Sequence, residues 1–208
     1  MITIHHVYIL VGLLFVVFAV LSALDAANPR RWTTGLFWGL FAVSFLAGDL
    51  LGDLGNGVLV LCMALIAGFG GLSAGKAATT SVEERKGGSA RWRNVLFLPA
   101  LVIPIVTLVG TVAIKGLPLP FGLAFEGVTI GGVAPIDPKQ ATLISLALGA
   151  VLATACALIL LRQPISSPVR EGRRLMDIVG WAALLPQMLA SLGAVFAVAG
   201  VGKVVGDI

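Results

Sequence analysis

The sequence predicts an all-α polytopic membrane protein with about six hydrophobic helices, of which the last is broken or re-entrant. Of its 208 residues, 58% are hydrophobic and only 12% are charged. A soluble domain carries about twice that charged fraction. The apolar residues are gathered into runs close to the roughly 20 residues that a helix needs to cross a bilayer. The final run has a proline at its centre, and proline interrupts helices.

Six apolar runs define the predicted spans of a single transmembrane domain over residues 1–208. They cover residues 2–24, 34–51, 57–72, 95–114, 141–161 and 178–199. The first run lacks a basic leading region and a small-residue cleavage site, so we interpret it as a retained span. The loop 73–94 is the most hydrophilic part of the chain, and we expect a solvated, mobile connection there. The loop 116–140 is rich in Pro and Gly.

The basic residues predict the orientation of these spans. Eleven of the fourteen Lys and Arg residues lie in the loops after the first, third and fifth runs. Loops that retain positive charge stay in the cytoplasm. We therefore expect a multi-pass protein of the bacterial cytoplasmic (inner) membrane with its N-terminus outward, the loop 73–94 in the cytoplasm and the loop 116–140 outside.

Two local patterns predict helix packing and a helix start. Gly35 and Gly39 form a GxxxG pair that lets a neighbouring helix approach closely. Asp137, followed by proline and then by glutamine at the third position, is typical of a capped helix N-terminus. The fifth run repeats small residues every four positions, which predicts its packing face. These residues are Ser145, Gly149, Ala153 and Ala157.

Two carboxylates end the second run. Asp49 and Asp53 are four residues apart and share one face if the helix continues that far. Acidic groups near a membrane boundary can bind a coupling cation or relay a proton. They can equally end the helix and face outside water, and the turn residues Gly52 and Asn56 favour that boundary.

The stretch 180–202, which overlaps the last run, contains the candidate substrate site. An interrupted apolar segment indicates the midplane site of a secondary transporter. Pro186 interrupts this run, and Gln187 and Ser191 then present an amide and a hydroxyl on one face. Backbone amides near Gly193 and Gly200 are the predicted contacts of a carboxylate. Alternatively, the proline only kinks a buried helix and the glutamine bonds to another span.

A charged helical turn precedes this last run. Arg170, Arg173 and Arg174 stand there with Glu171 and Asp177. Arg173 and Asp177 are four residues apart, so they can form an ion pair on one helix face. Positive-inside anchoring accounts for the arginines, and a funnel that attracts an anionic substrate accounts for them too.

The residue types exclude several functions. Cys62 and Cys156 lie in apolar runs without metal-ligand spacing, so no metal and no cofactor is predicted. The basic residues lie in short loops, and nucleic acid is not an expected partner. An intramembrane enzyme needs a nucleophile with its base, and the spans contain no such set. We therefore predict no catalytic residues and no enzymatic activity.

Four segments together resemble a bacterial membrane permease family classified as a domain of unknown function, number nine-seven-nine. They are residues 171–202, 37–51, 94–110 and 137–150. The resemblance implies one of two membrane subunits of a 5-oxoproline (pyroglutamate) transporter, related to carriers built from broken helices. Family members continue past the position of Ile208, which implies that this chain is C-terminally incomplete.

Two functions follow from these observations. The first is an integral membrane subunit of a secondary transporter for a small carboxylate, 5-oxoproline by resemblance, with the lipid bilayer and a second permease subunit as partners. The second is a non-transporting scaffold or assembly subunit whose small-residue stripes hold a partner membrane protein. Stabilisation of the protein by substrate distinguishes the first from the second.

Overall fold

The described residues fold almost entirely into helices. A computed structural model describes residues 2–69, 71–73, 81–116, 135–200 and 202. Its helices are α1 (Ile4–Leu24), α2 (Arg31–Gly68), α3 (Val82–Trp92), α4 (Leu98–Lys115), α5 (Ala141–Leu161), α6 (Ser167–Val179) and α7 (Leu185–Val198). Short 3-10 helices lead into three of them, at Arg93–Phe97, Pro138–Gln140 and Gly180–Leu184. The predicted all-α fold class is confirmed.

Several of these helices have the length and composition of membrane spans. Four stretches qualify on their own: Ile4–Leu24, Arg31–Gly68, Lys86–Lys115 and Pro138–Leu161. A fifth is added if the bent pair α6 and α7 counts as one span. Large leucine, isoleucine and valine side chains lie exposed along α1, α4 and α5, as lipid-facing residues do. The chain is therefore a multi-pass membrane protein.

The chain divides into two compact units, which we describe separately. The first unit comprises Met1–Leu14 and Ala78–Arg170, and the second comprises Phe15–Ala77 and Glu171–Ile208.

In the first unit, α4 and α5 pack closely through small residues. Ser145, Gly149 and Ala153 of α5 are buried, as their four-residue spacing predicts. A Cβ atom at Gly149 would lie 3.0 Å from the carbonyl oxygen of Ile103 in α4. A Cβ atom at Gly110 of α4 would meet the Ser145 side chain. The predicted packing face of α5 is confirmed at these three positions.

The predicted Asp137 cap stands at the start of the 3-10 turn Pro138–Gln140 that leads into α5. The Asp137 carboxylate accepts a hydrogen bond of 3.0 Å from the backbone N–H of Lys139. The chain's N-terminal residues also meet this turn, because the Ile2 N–H donates to the Pro135 carbonyl at 2.8 Å and the Ile2 carbonyl accepts from the Asp137 N–H at 3.0 Å. The cap satisfies a donor that the first helical turn leaves free.

The hydrophilic segment 73–94 contains a helix. α3 occupies Val82–Trp92, where we expected a mobile connection. Glu, Arg, Lys and Ala favour helices, and Ser81 stands three residues before Glu84, which is the spacing of a capping box. The polar composition alone did not distinguish a solvated helix from a loop.

In the second unit, α2 contributes a buried aromatic cluster. Phe37 and Trp38 are completely buried. The Trp38 ring lies 5.6 Å from the ring of Phe15, which stacks on it, and 5.6 Å from that of Phe41. Gly35 permits this contact between α1 and α2, because a Cβ atom there would lie 3.1 Å from the carbonyl oxygen of Ala19. The first glycine of the GxxxG pair thus has the predicted role.

Candidate functional site

The broken segment is made by Gly180 and by the 3-10 helix that begins with it. Gly180 has a φ of +53°, a left-handed conformation that glycine adopts without steric cost. The apolar α7 starts only at Leu185, and α6 and α7 meet at an angle of 86°. The sequence-based prediction of a broken last helix is therefore confirmed, with the break at Gly180.

Pro186 occupies a different place from the one expected. It lies in the first turn of α7, where the missing N–H of proline costs no helical hydrogen bond. The proline therefore starts a helix. The interruption that we assigned to Pro186 belongs to the glycine six residues earlier.

An apolar groove lies beside this break. It has a volume of about 300 Å³ and is lined by Ala64, Ala67 and Gly68 of α2, by Leu184, and by Met188 of α7. The α2 residues that line the groove have small side chains or none, and so leave space beside the helix. Leu184, the last residue of the 3-10 helix, is almost completely buried. The groove can therefore hold a small, mainly apolar group beside the first turn of α7.

Four predicted site residues follow on α7 and its C-terminal turn. Positions 187 and 191 lie one turn apart in a continuous helix and so share a face; their side chains lie outside the described structure. Gly193 lies inside α7, beyond its first turn. Gly200 has a φ of +68°, and its N–H donates to the Ala197 carbonyl at 3.2 Å.

The two carboxylates at the end of the second predicted span lie on either side of a break in α2. Gly52 has a φ of +62° and a ψ of −174°, so Asp49 and Asp53 do not continue on one helix face. Both residues are exposed. The Asn56 side chain bridges the break by donating to the Gly48 carbonyl at 2.8 Å and to the Gly52 carbonyl at 2.9 Å.

A partly buried polar cluster, which we call the Asp177 cluster, links α6 to α2 and to the turn before α2. It consists of Asp177, Arg173, Asp25 and Trp38. The Trp38 Nε1–H donates to Asp177 Oδ1 at 3.0 Å. The Arg173 Nε–H donates to Asp177 Oδ2 at 3.3 Å, which confirms the predicted i, i+4 pair. The second guanidinium arm, Nη2, binds Asp25 Oδ2.

Burial has the largest influence on the pKa of Asp177 in this cluster. The side chain of Asp177 is 4% exposed, and that of Arg173 is 14% exposed. Asp177 lies on the charged helix α6, ahead of the apolar α7. Desolvation raises the pKa of its carboxyl, and the hydrogen bond from Trp38 and the charge of Arg173 oppose the rise. The charge of Asp25 raises this pKa further, because like charges disfavour ionisation.

The turn between α1 and α2 places Asp25. Its carboxylate accepts from the Ala27 N–H at 3.1 Å. Asn28, which is almost fully buried, donates from its side chain to the Ser73 carbonyl at 2.8 Å, and Thr33 donates to the Gly71 carbonyl. The turn is thus tied to the segment that follows α2, which holds Asp25 near α6.

Sequence reasoning missed Asp25 and Trp38 as members of this cluster. Asp25 is an acid in a turn that the charge pattern places on the same side of the membrane as Arg173, and that placement was the available signal. Trp38 gave no signal, since an aromatic residue in an apolar run is ordinarily a packing residue. Among the described residues, no group of three or more His, Cys, Asp or Glu side chains is arranged to hold a metal ion.

Comparison with protein families gives one match. Residues 5–208 match the family described as "Protein of unknown function (DUF979)". Comparison with curated proteins and with solved structures gives no match. The match covers nearly the whole chain, and the chain therefore belongs to the DUF979 family.

Proposed function

We propose that the chain is an integral membrane subunit of a secondary transporter for a small carboxylate, and that the carboxylate is 5-oxoproline. The observation that carries the proposal is the broken segment α6–α7 with the groove beside it. Carriers place their sites where spanning helices are interrupted, because helix ends there meet the substrate. The choice of 5-oxoproline as substrate comes from the resemblance of the sequence to a two-subunit permease family.

The groove has the dimensions and chemistry for such a ligand. Its volume of about 300 Å³ is at the small end of ligand pockets, which span about 300–1,000 Å³. Leu184 and Met188 offer apolar contacts to the ring of 5-oxoproline. The N-terminus of α7 carries a partial positive charge that favours a carboxylate, and its register puts Gln187 in the first turn.

Substrate uptake tests this proposal. Cells that produce the chain with its second permease subunit are expected to accumulate labelled 5-oxoproline. Gln187→Ala and Ser191→Ala are expected to reduce uptake, since each removes a polar group from the helix that starts beside the groove. The matched control is Gln163→Ala, a glutamine exposed in the turn after α5, which is expected to leave uptake unchanged. Unchanged uptake in both α7 variants would refute the site.

The orientation belongs to the same proposal. The charge distribution supports a bacterial inner-membrane protein with its N-terminus outward. An N-terminal epitope tag is expected to react with antibody in intact cells, and a tag inserted in the cytoplasmic loop 73–94 only after permeabilisation. The reverse labelling would contradict the proposed topology.

A further inference from the structure

We propose that the Asp177 cluster is a proton-binding site, in which the Asp177 carboxylate takes up the proton and through which carboxylate movement is coupled to proton movement. The coupling part of this inference rests on the proposed transport function. Proton binding itself does not, because it follows from the charges, contacts and burial of the cluster.

The net charge of the Asp177 cluster favours the binding of a cation. Two carboxylates, Asp25 and Asp177, surround one guanidinium, that of Arg173. The cluster therefore carries one uncompensated negative charge at a place where Asp177 is 4% exposed. Buried charge without a partner is unfavourable, and binding one cation removes it. An anionic substrate would add a second negative charge, so this cluster is not the carboxylate site.

The ligand geometry favours a proton over a metal ion. Both oxygens of Asp177 already accept hydrogen bonds, from Trp38 and from Arg173. A proton needs only one free lone pair of a carboxylate oxygen, whereas Ca²⁺ or Mg²⁺ needs about six oxygen ligands. The described residues provide no group of three or more acidic, His or Cys side chains for a metal ion.

A buried hydroxyl supplies an independent observation. Ser22 is completely buried, and its Oγ has no hydrogen-bond partner among the described residues. It stands between Phe18 of α1 and Asp25 of the turn after α1, and both of these contact α6. Asp25 binds Arg173, and a Cβ atom at Gly172 would lie 3.1 Å from the Phe18 ring. Ser22 shares that face. An unsatisfied hydroxyl there can donate to a carboxylate or accept from a protonated one.

The charged groups that act on Asp177 come from two elements. Its own helix α6 supplies Arg173, and the turn after α1 supplies Asp25; α2 faces it with the uncharged Trp38. Burial is the largest influence on the pKa of Asp177 and raises it, as Asp25 does, while Trp38 and Arg173 lower it. The balance moves the titration of this carboxyl above its ordinary range.

The Asp177 cluster lies next to the break in the last segment, and this position couples proton binding to the substrate groove. Asp177 stands three residues before Gly180, where the chain bends into α7. When a proton from water binds a carboxylate oxygen of Asp177, the charge of the cluster changes from −1 to zero and the ion pair with Arg173 is lost. The hydrogen bond by which Trp38 of α2 holds α6 next to the break then loses its charged acceptor, which links proton binding to the substrate groove.

The fluorescence of Trp38 measures proton binding directly. In the full chain, the other tryptophans, Trp32, Trp92 and Trp181, are replaced with phenylalanine. The emission of Trp38 is then titrated from about pH 4 to about pH 9, which spans ordinary and raised carboxyl pKa values. We expect one transition with a midpoint above the ordinary Asp value of about 3.9.

Two variants make the titration decisive. Asp177→Asn keeps the shape and an oxygen acceptor for Trp38, and it is expected to abolish the transition. Asp25→Asn removes the charge that raises the Asp177 pKa, and it is expected to move the midpoint to lower pH. A pH-independent signal in the parent chain would overturn the proposal. So would an unchanged transition in Asp177→Asn, or an unchanged midpoint in folded Asp25→Asn.

Proteoliposomes separate the proton site from the transport function. Uptake of labelled 5-oxoproline by the chain and its second subunit is expected to rise severalfold under an inward proton gradient. Asp177→Asn is expected to retain uptake down a substrate gradient and to lose that stimulation. Substrate uptake that is the same with and without the proton gradient would overturn the coupling. Absence of uptake in all conditions, with the fluorescence transition intact, would overturn the transport function and leave the proton site supported.

Discussion

Replacing Gly149 with alanine tests the close contact of α4 and α5. The new Cβ atom would lie 3.0 Å from the carbonyl oxygen and 3.3 Å from the Cα atom of Ile103. Both atoms belong to the backbone, so they cannot move aside as a flexible side chain can. The two helices must therefore separate along this part of their interface.

A second glycine removes the helix-propensity effect from this measurement. Gly57 lies inside α2, and a Cβ atom there meets nothing within 4 Å. Both changes gain the propensity of alanine, roughly 1 kcal/mol, so the difference between the variants reports the crowding at Gly149. Overpacking costs about 1–3 kcal/mol. For a chain of this size the melting temperature of Gly149→Ala should lie roughly 2–12 °C below that of Gly57→Ala.

The assay is thermal unfolding of the purified chain in one detergent. Both variants and the parent chain are measured at the same protein concentration and heating rate, because membrane proteins often unfold irreversibly. The close-packing argument is refuted if Gly149→Ala melts at or above the temperature of Gly57→Ala.

Three further substitutions test local features. Asp137→Ala removes the cap of the 3-10 turn that leads into α5 and should cost about 0.5–2 kcal/mol, seen as faster amide exchange of Lys139 in that turn; unchanged exchange would contradict the cap. Asn56→Ala removes two hydrogen bonds across the break at Gly52 and should cost about 1–3 kcal/mol in thermal unfolding; a neutral result would mean that the bridge does not stabilise the break. Arg173→Gln leaves two carboxylates without their cation and should destabilise by up to about 3–5 kcal/mol. The control Arg174→Gln breaks a more exposed pair and should cost about 0–1 kcal/mol; equal melting temperatures of these two variants would refute the buried pair.

The features that sequence predicted correctly depend on residues close together in the chain. The membrane class follows from hydropathy over single helices. The Asp137 cap involves a donor two residues away, and the Arg173–Asp177 pair spans one helical turn. The buried face of α5 follows from a four-residue repeat. Each of these needs only local backbone geometry, which sequence periodicity reports directly.

The Asp177 cluster depends on contacts that local patterns do not carry. Trp38 and Asp177 are 139 residues apart, and Asp25 and Arg173 are 148 residues apart. A single sequence contains no signal that pairs positions at such distances. The sequence therefore indicates only that the arginines lie at the membrane surface, whereas Arg173 is partly buried in an ion-pair network.

The break in the last segment shows how a strong local signal can mislead. Proline is the most conspicuous helix breaker in an apolar run, so the interruption was placed at Pro186. In the first turn of a helix, however, proline is compatible with helical geometry. Gly180 makes the bend because it alone in this turn has a positive φ, and one glycine among many in the chain carries little information by itself.

The melting temperature of the chain with the proposed second subunit, measured against the concentration of 5-oxoproline, tests the central claim most directly. A ligand that binds only the folded protein stabilises it by about 2.7 kcal/mol at 100 times its Kd. A dose-dependent rise with 5-oxoproline, which proline does not reproduce and which Gln187→Ala weakens, is the predicted result. A melting temperature that stays constant at every concentration, in a complex that copurifies intact, would contradict transport and leave the scaffold role.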